Sequence, residues 1–176
     1  ESASFANAKF YSVYPRGWST PESFARKIDV RDREVHLLIE VPPLGAADRE
    51  EARRDQVAAF LKRLIFAATA ANAGRAYVPL SGDTQTGMVD ADGYPQATAL
   101  AMRVANDILS SARHDPKAHM FPAPVRDFVF EKDGSMILAL WCDSGTVPIE
   151  AFFGYDARLV APLGGSRPIV HDFKFD

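Results

Sequence analysis

The spacing of apolar residues changes partway along this 176-residue chain, and that change constrains the fold more than any other feature of the sequence. Residues 48–73 and 95–113 repeat apolar side chains every three or four positions, which is typical of helices packed on a core. Beyond Pro124 the apolar residues come in short runs with strand spacing. A doubly wound α/β fold would instead alternate strand and helix throughout. We therefore predict an α+β fold, with a mainly antiparallel sheet and two long helices packed on one face.

Several short segments are expected to supply strands. Residues 35–41 alternate apolar positions until Pro42 ends the run, which is typical of a strand with one buried face. Residues 75–80 form a shorter strand, which Pro79 confines to a sheet edge or a strand end. Further strands are predicted at residues 149–153, 158–161 and 169–175.

The clearest local signal is a hairpin. Lys132-Asp133-Gly134-Ser135 predicts a tight turn, because both central residues of a type I′ turn need positive φ, which Asp and Gly tolerate. Residues 136–141, which follow the turn, are apolar at every position. Such a run is typical of a central strand covered on both faces.

The whole chain, residues 1–176, is expected to form a single domain. A chain of roughly 150 residues already buries about 70% of its unfolded surface, so no disulfide or metal is needed to complete the core. The aromatic-rich residues 1–28 are expected to cover the open face of the sheet. The alternative is an aromatic recognition arm, in which Trp18 is a candidate binding residue.

Charge and composition exclude several classes of protein. The net charge is −3, with acidic and basic residues interspersed, which argues against a nucleic-acid partner. No segment approaches the roughly 18 apolar residues that a membrane-spanning helix needs. Cys142 is the single cysteine, which excludes an intrachain disulfide. The compartment stays open: cytoplasmic, or periplasmic if a leader has been removed.

One short motif resembles a known catalytic loop. Asp143-Ser144-Gly145-Thr146 follows an apolar run, and it resembles the catalytic loop of aspartic proteases. That family pairs two such loops so that two carboxylates share a proton, and this chain has one. Asp-Ser-Gly is also a common turn sequence, which is the favoured interpretation.

An acidic, glycine-rich segment, residues 81–94, is the candidate binding loop. It fails the spacing of an EF-hand, because Met88 and Ala99 stand where acidic ligands are required. A looser cation site built from Asp90, Asp92 and backbone carbonyls is the alternative to a solvated turn, which is the favoured interpretation. No metal site or cofactor is predicted. Binding residues concentrate on loops held by a rigid scaffold. The candidate binding residues here are Asp83, Asp90, Asp92 and Tyr94.

The histidines offer an alternative, catalytic interpretation. His114, Asp115 and His119 lie close together in the chain. His171 would lie on the same face as the apolar residues of the predicted strand 169–175. His114 is expected in the last turn of the second helix, attracted to its C-terminus. A general base needs an acid within hydrogen-bond reach, and only the fold can supply that arrangement.

These observations lead to two main functional hypotheses, and to a third in which the protein is a structural subunit that buries its aromatic segment in an oligomer. The first is a non-catalytic binding or inhibitory protein, similar to the small immunity proteins that neutralise a bacterial toxin. Its acidic loop suits a basic surface on a protein partner, and the Ala- and Arg-rich composition favours a bacterial source. The alternative is a hydrolase whose His/Asp site is assembled by the fold. The oligomeric state stays open.

Overall fold

A computed structural model of the protein describes residues 9–12, 35–45, 49–69, 75–78, 80, 87–142, 145–149 and 157–169. These residues form strands and two helices, which we number in chain order. The elements are β1 (Lys9–Ser12), β2 (Val35–Leu38), α1 (Arg49–Thr69), β3 (Arg75–Tyr77), α2 (Ala97–Leu109), β4 (Arg113–Asp115), β5 (Val125–Lys132), β6 (Ser135–Cys142), β7 (Arg158–Val160) and β8 (Ser166–Pro168).

The strands of the described residues form three sheets rather than one. The first has the order β1-β2-β3, and all of its strands are parallel. The second has the order β4-β5-β6 and is antiparallel, as is the β7-β8 hairpin. The predicted α+β fold is confirmed, with antiparallel pairing among five of the eight described strands. The parallel sheet was not predicted, and α1 is the crossover that its strands β2 and β3 require.

Helix α1 lies between the parallel and antiparallel sheets. Phe60 of α1 is fully buried in a core cluster that also contains Leu37 and Ile39, at and just beyond the end of β2. Two turns along α1, the ring of Phe66 lies 5.6 Å from that of Phe128 in β5. Burial of a side chain such as Phe60 contributes about 1.5–3 kcal/mol before entropy is counted. Removing either sheet would therefore expose part of this helix.

Helix α2 packs on α1 through small side chains. Ala101 and Ala105 are buried, which allows the two helices to approach closely. The C-terminus of α2 is held by Lys132 of β5, whose Nζ donates to the carbonyl oxygens of Asp107 at 2.8 Å and Ile108 at 3.3 Å. A cation at this end of a helix pairs with carbonyls that have no partner within the helix.

The predicted hairpin turn is confirmed. Asp133 has φ 51° and Gly134 has φ 76°, and Lys132 pairs with Ser135 across the turn. The predicted central position of residues 136–141 is wrong within the described sheet. The central strand is β5, because the unpredicted strand β4 pairs with it and leaves β6 outermost. Met136 at the start of β6 is accordingly 57% exposed.

Other boundaries differ from the predictions in detail. Helix α2 is shorter than predicted, the predicted ends of α1 lie outside the described residues, and β8 follows β7 where no strand was expected. The predicted edge position of residues 75–80 is confirmed, since β3 is an outer strand of the described parallel sheet. Of the aromatic segment 1–28 only residues 9–12 are described, so its covering role lies outside the described residues. No helix in the described ranges is long and apolar enough to cross a membrane.

Candidate functional site

The carboxyl edge of the parallel sheet carries an exposed acidic residue, Glu40. In parallel sheets, ligands and catalytic residues gather at this edge, where the chain leaves each strand. β2 is the middle strand, and its ladder continues one residue further because Ile39 N–H donates to the Tyr77 carbonyl at 2.8 Å. Ile39 and Val41 are buried, whereas Glu40 between them is exposed. The alternation of the strand thus directs this carboxylate to solvent.

Two polar side chains of α1 hold the backbone on which Glu40 sits. Arg63 Nη1 donates to the carbonyl oxygen of Glu40 at 2.5 Å. Gln56 Nε2 donates to the carbonyl oxygen of Pro42 at 2.8 Å. Both residues are only 5% exposed, and they lie two helical turns apart on one face of α1. Main-chain atoms of Glu40 and of Pro42, two residues on, are therefore tied to the helix.

A carboxylate on a fixed backbone at a sheet edge can act as a nucleophile, as a general base or as a cation ligand. Glu40 was not among the predicted site residues. Its sequence pattern is that of an ordinary solvent-facing residue in an alternating strand. Only the parallel pairing of β2 with both neighbours shows that Glu40 lies at the edge where sites form.

The candidate binding loop is a compact turn in its described part, residues 87–94. Asp90 Oδ1 accepts hydrogen bonds from the backbone N–H of Asp92 at 3.0 Å and of Tyr94 at 2.8 Å. The carboxylate of Asp90 therefore organises the turn itself. Asp92 is exposed and Tyr94 is 69% exposed. The other predicted binding residues, Asp83 and Trp18, lie outside the described residues.

The predicted His/Asp candidates have separate partners. His114 lies in β4, not in the last turn of α2 as predicted, and its ring lies 5.2 Å from that of Phe130. Its position follows from the earlier end of α2, which leaves residues 113–115 free to pair with β5. Asp115 Oδ1 accepts the backbone N–H of Lys117 at 2.9 Å. His171 lies outside the described residues. Within the part of the chain that is described, no three metal-ligating side chains cluster.

His119 pairs with a residue that the sequence did not indicate, Asp127 of β5. His119 Nδ1 lies 3.2 Å from Asp127 Oδ1, with 62% of the histidine side chain exposed and 3% of the aspartate. Asp127 Oδ2 also accepts the backbone N–H groups of Met120 and, at 3.3 Å, of Phe121. This buried carboxylate therefore fixes the loop that precedes β5.

The pKa of Asp127 reflects these contacts. Burial by itself raises the pKa of this carboxyl. The hydrogen bonds from Met120, His119 and Phe121, with attraction to the His119 ring, outweigh burial and hold the pKa below its usual value. Asp127 is therefore ionised at neutral pH and acts as an acceptor that organises the loop.

Comparison with solved structures finds a similar fold in a family 39 glycoside hydrolase from the gut symbiont Bacteroides cellulosilyticus WH2. The TM-score is 0.61 at 13% sequence identity, and the match covers 84% of this chain and 32% of that enzyme's chain. This chain thus spans about a third of the length of that hydrolase. An identity this low indicates the fold alone. No family profile matches the chain, and no curated protein sequence is significantly similar to it.

Proposed function

We propose that the protein hydrolyses glycosidic bonds, with Glu40 as one of its two reacting carboxyl groups. The observation that carries the proposal is the exposed carboxylate of Glu40 at the carboxyl end of the middle parallel strand. The class of reaction is taken from the glycoside hydrolase that this chain resembles in fold over 32% of that enzyme's chain. This proposal takes up the hydrolase alternative with a different residue from those first considered.

The proposed chemistry follows the common mechanism of glycosidases, which place one carboxyl on each side of the scissile bond. In the retaining form, a Glu40 oxygen attacks the anomeric carbon and forms a glycosyl ester. The bond to the leaving oxygen breaks, and that oxygen takes a proton from a second carboxylic acid. Water then hydrolyses the ester and returns the proton to the second carboxyl. In the inverting form, Glu40 instead removes a proton from the attacking water.

The test is hydrolysis of a panel of nitrophenyl glycosides by the full chain of the protein. Glu40→Gln keeps the size of the side chain and removes its charge, so kcat/KM should fall by at least about 100-fold. Glu51→Gln is the matched control, since Glu51 is an exposed acid in the first turn of α1. In the retaining form, incubation with a 2-fluoro glycoside should add one sugar mass to the wild-type protein and none to the Glu40 variant, whereas the inverting form gives no adduct with either. Turnover that survives in Glu40→Gln would refute the assignment.

A second candidate function, binding of a protein partner, is favoured by the exposed Tyr94 on its hydrogen-bonded turn. Tyrosine on a rigid loop is a common interface anchor, and the nearby acid Asp92 suits a basic surface such as that of a bacterial toxin. This proposal keeps the immunity-type hypothesis. A pull-down should recover a stoichiometric partner with the wild type and lose it with Tyr94→Ala. Recovery that is equal for both proteins would remove this turn from the interface.

A further inference from the structure

We propose that Arg63 and Gln56 of α1 are positioning residues for the Glu40 carboxylate. This inference rests on the proposed glycosidase function, which it deepens by assigning the residues that hold the reacting group in place. Neither side chain is proposed to touch substrate. Each acts through the main chain, Arg63 at the carbonyl of Glu40 itself and Gln56 at the carbonyl of Pro42.

The first argument is the cost of burying these two side chains. A buried guanidinium or amide is unfavourable unless hydrogen bonds satisfy it, so helix packing alone would favour an apolar residue at either position. Both side chains are nevertheless 95% buried, and both reach the same short segment. Arg63 and Gln56 thus hold the main-chain carbonyls of residues 40 and 42, and neither donates to the carboxylate of Glu40 itself.

The second argument is the position of residues 40–42 just beyond the end of strand β2. β2 ends at Leu38, and no strand in the described part of the chain pairs with Glu40 or Pro42. An extended segment beyond its strand is free to shift unless other groups hold it. Displacement of a reacting group by about 1 Å can cost roughly 100-fold in rate. Two charged or polar anchors from a long helix supply the rigidity that such a site needs.

The expected consequence is a loss in kcat rather than in substrate affinity. Arg63→Met keeps the apolar stem and removes the donors, so the segment holding Glu40 loses its nearest anchor. Contacts to the remainder of the substrate persist, so KM should change by less than about threefold while kcat falls about 10- to 100-fold. Gln56→Met should have a smaller effect of the same kind, because its anchor lies two residues further along the chain.

The experiment measures kcat and KM on the best nitrophenyl glycoside, using the full chain of each variant. The control is Arg54→Met, which removes an arginine whose contact is an exposed ion pair with Glu50 on the same helix. Arg63→Lys is the rescue variant, since an ammonium can still donate to a carbonyl. All rates are measured below the melting temperature and are expressed per folded molecule. Arg63→Lys should recover most of kcat, and Arg54→Met should match the wild type.

The outcomes separate the two proposals. If the wild type hydrolyses no glycoside, or Glu40→Gln remains active, the proposed function fails and the positioning roles fall with it. If Glu40→Gln is inactive but the Arg63 and Gln56 variants keep wild-type kcat, the positioning inference alone is overturned. A lowered melting temperature with an unchanged kcat also overturns it, because that result describes a purely structural role. If Arg63→Met does not fold, Arg63→Lys and Gln56→Met carry the same comparison.

Discussion

The buried carboxylate of Asp127 should make the stability of the protein depend on pH. Its folded-state pKa lies below the unfolded value, which is about 3.9 for an aspartate. The unfolded chain therefore binds more protons than the folded chain in acid. The contribution of Asp127 is fully present above the unfolded pKa and is lost as pH falls through the folded pKa.

The size of the effect follows from the hydrogen bonds to Asp127. Oδ2 accepts two backbone N–H groups, from Met120 and Phe121. Hydrogen bonds to a charged acceptor contribute about 1.5–3 kcal/mol and neutral ones about 0.5–1.5 kcal/mol. Asp127→Asn keeps an oxygen acceptor and relieves the burial of a charge, so it should lower the free energy of unfolding by about 1–2 kcal/mol at neutral pH. Asp127→Ala leaves both amides unpaired and should cost about 3–5 kcal/mol.

The assay is urea unfolding as the pH is lowered from about 7 through the unfolded pKa of an aspartate, about 3.9, and further into acid. The wild-type and Asp127→Asn curves of stability against pH should converge in acid, because the wild-type carboxyl is then also neutral. Asp133→Asn is the control: Asp133 is exposed in the hairpin turn, and its change should stay within about 0.5 kcal/mol. Parallel wild-type and Asp127→Asn curves over the whole range would refute the reasoning.

Two further predictions concern the antiparallel sheet. Phe130→Ala should lower the free energy of unfolding by about 3–5 kcal/mol, since the ring is fully buried. Met136→Ala, on the exposed start of β6, should change it by less than about 0.5 kcal/mol. Equal losses of stability for the two variants in thermal unfolding would contradict this assignment of the core. Gly134→Ala should cost about 1 kcal/mol through its positive φ alone, because no atom beyond the adjacent residues lies within 4 Å of the added Cβ. An unchanged melting temperature for this variant would mean that the turn relaxes.

The elements that depend on local chemistry could be predicted from the sequence. In α1 and α2 the apolar residues recur every three or four positions over a long segment, whereas those of a strand recur every two. The sequence of each segment alone therefore indicates a helix. The hairpin at Asp133 and Gly134 is equally local, because the turn geometry demands these residue types. The C-terminal end of α2 was predicted less well, because β4 follows it and pairs with β5, which is a distant segment of the chain.

Features that depend on pairing between distant segments could not be predicted. β1, β2 and β3 are separated by long stretches of chain, and an alternating pattern such as that of β2 is more typical of an antiparallel strand. The site at Glu40 was missed for the same reason. Asp127 resembles an outward-facing polar residue of a strand, but it is buried, and residues 119–121 contact its carboxylate through hydrogen bonds.

The position of α1 between two sheets has a consequence for the evolution of the chain. Phe66 contacts Phe128, and Arg63, three residues earlier on a neighbouring part of the same helix face, contacts the Glu40 main chain. A smaller ring at position 128 would let α1 settle toward β5 and draw the guanidinium away from the sheet edge. Related proteins should therefore show correlated substitutions at positions 66 and 128, with ring volume conserved for the pair rather than at either position alone.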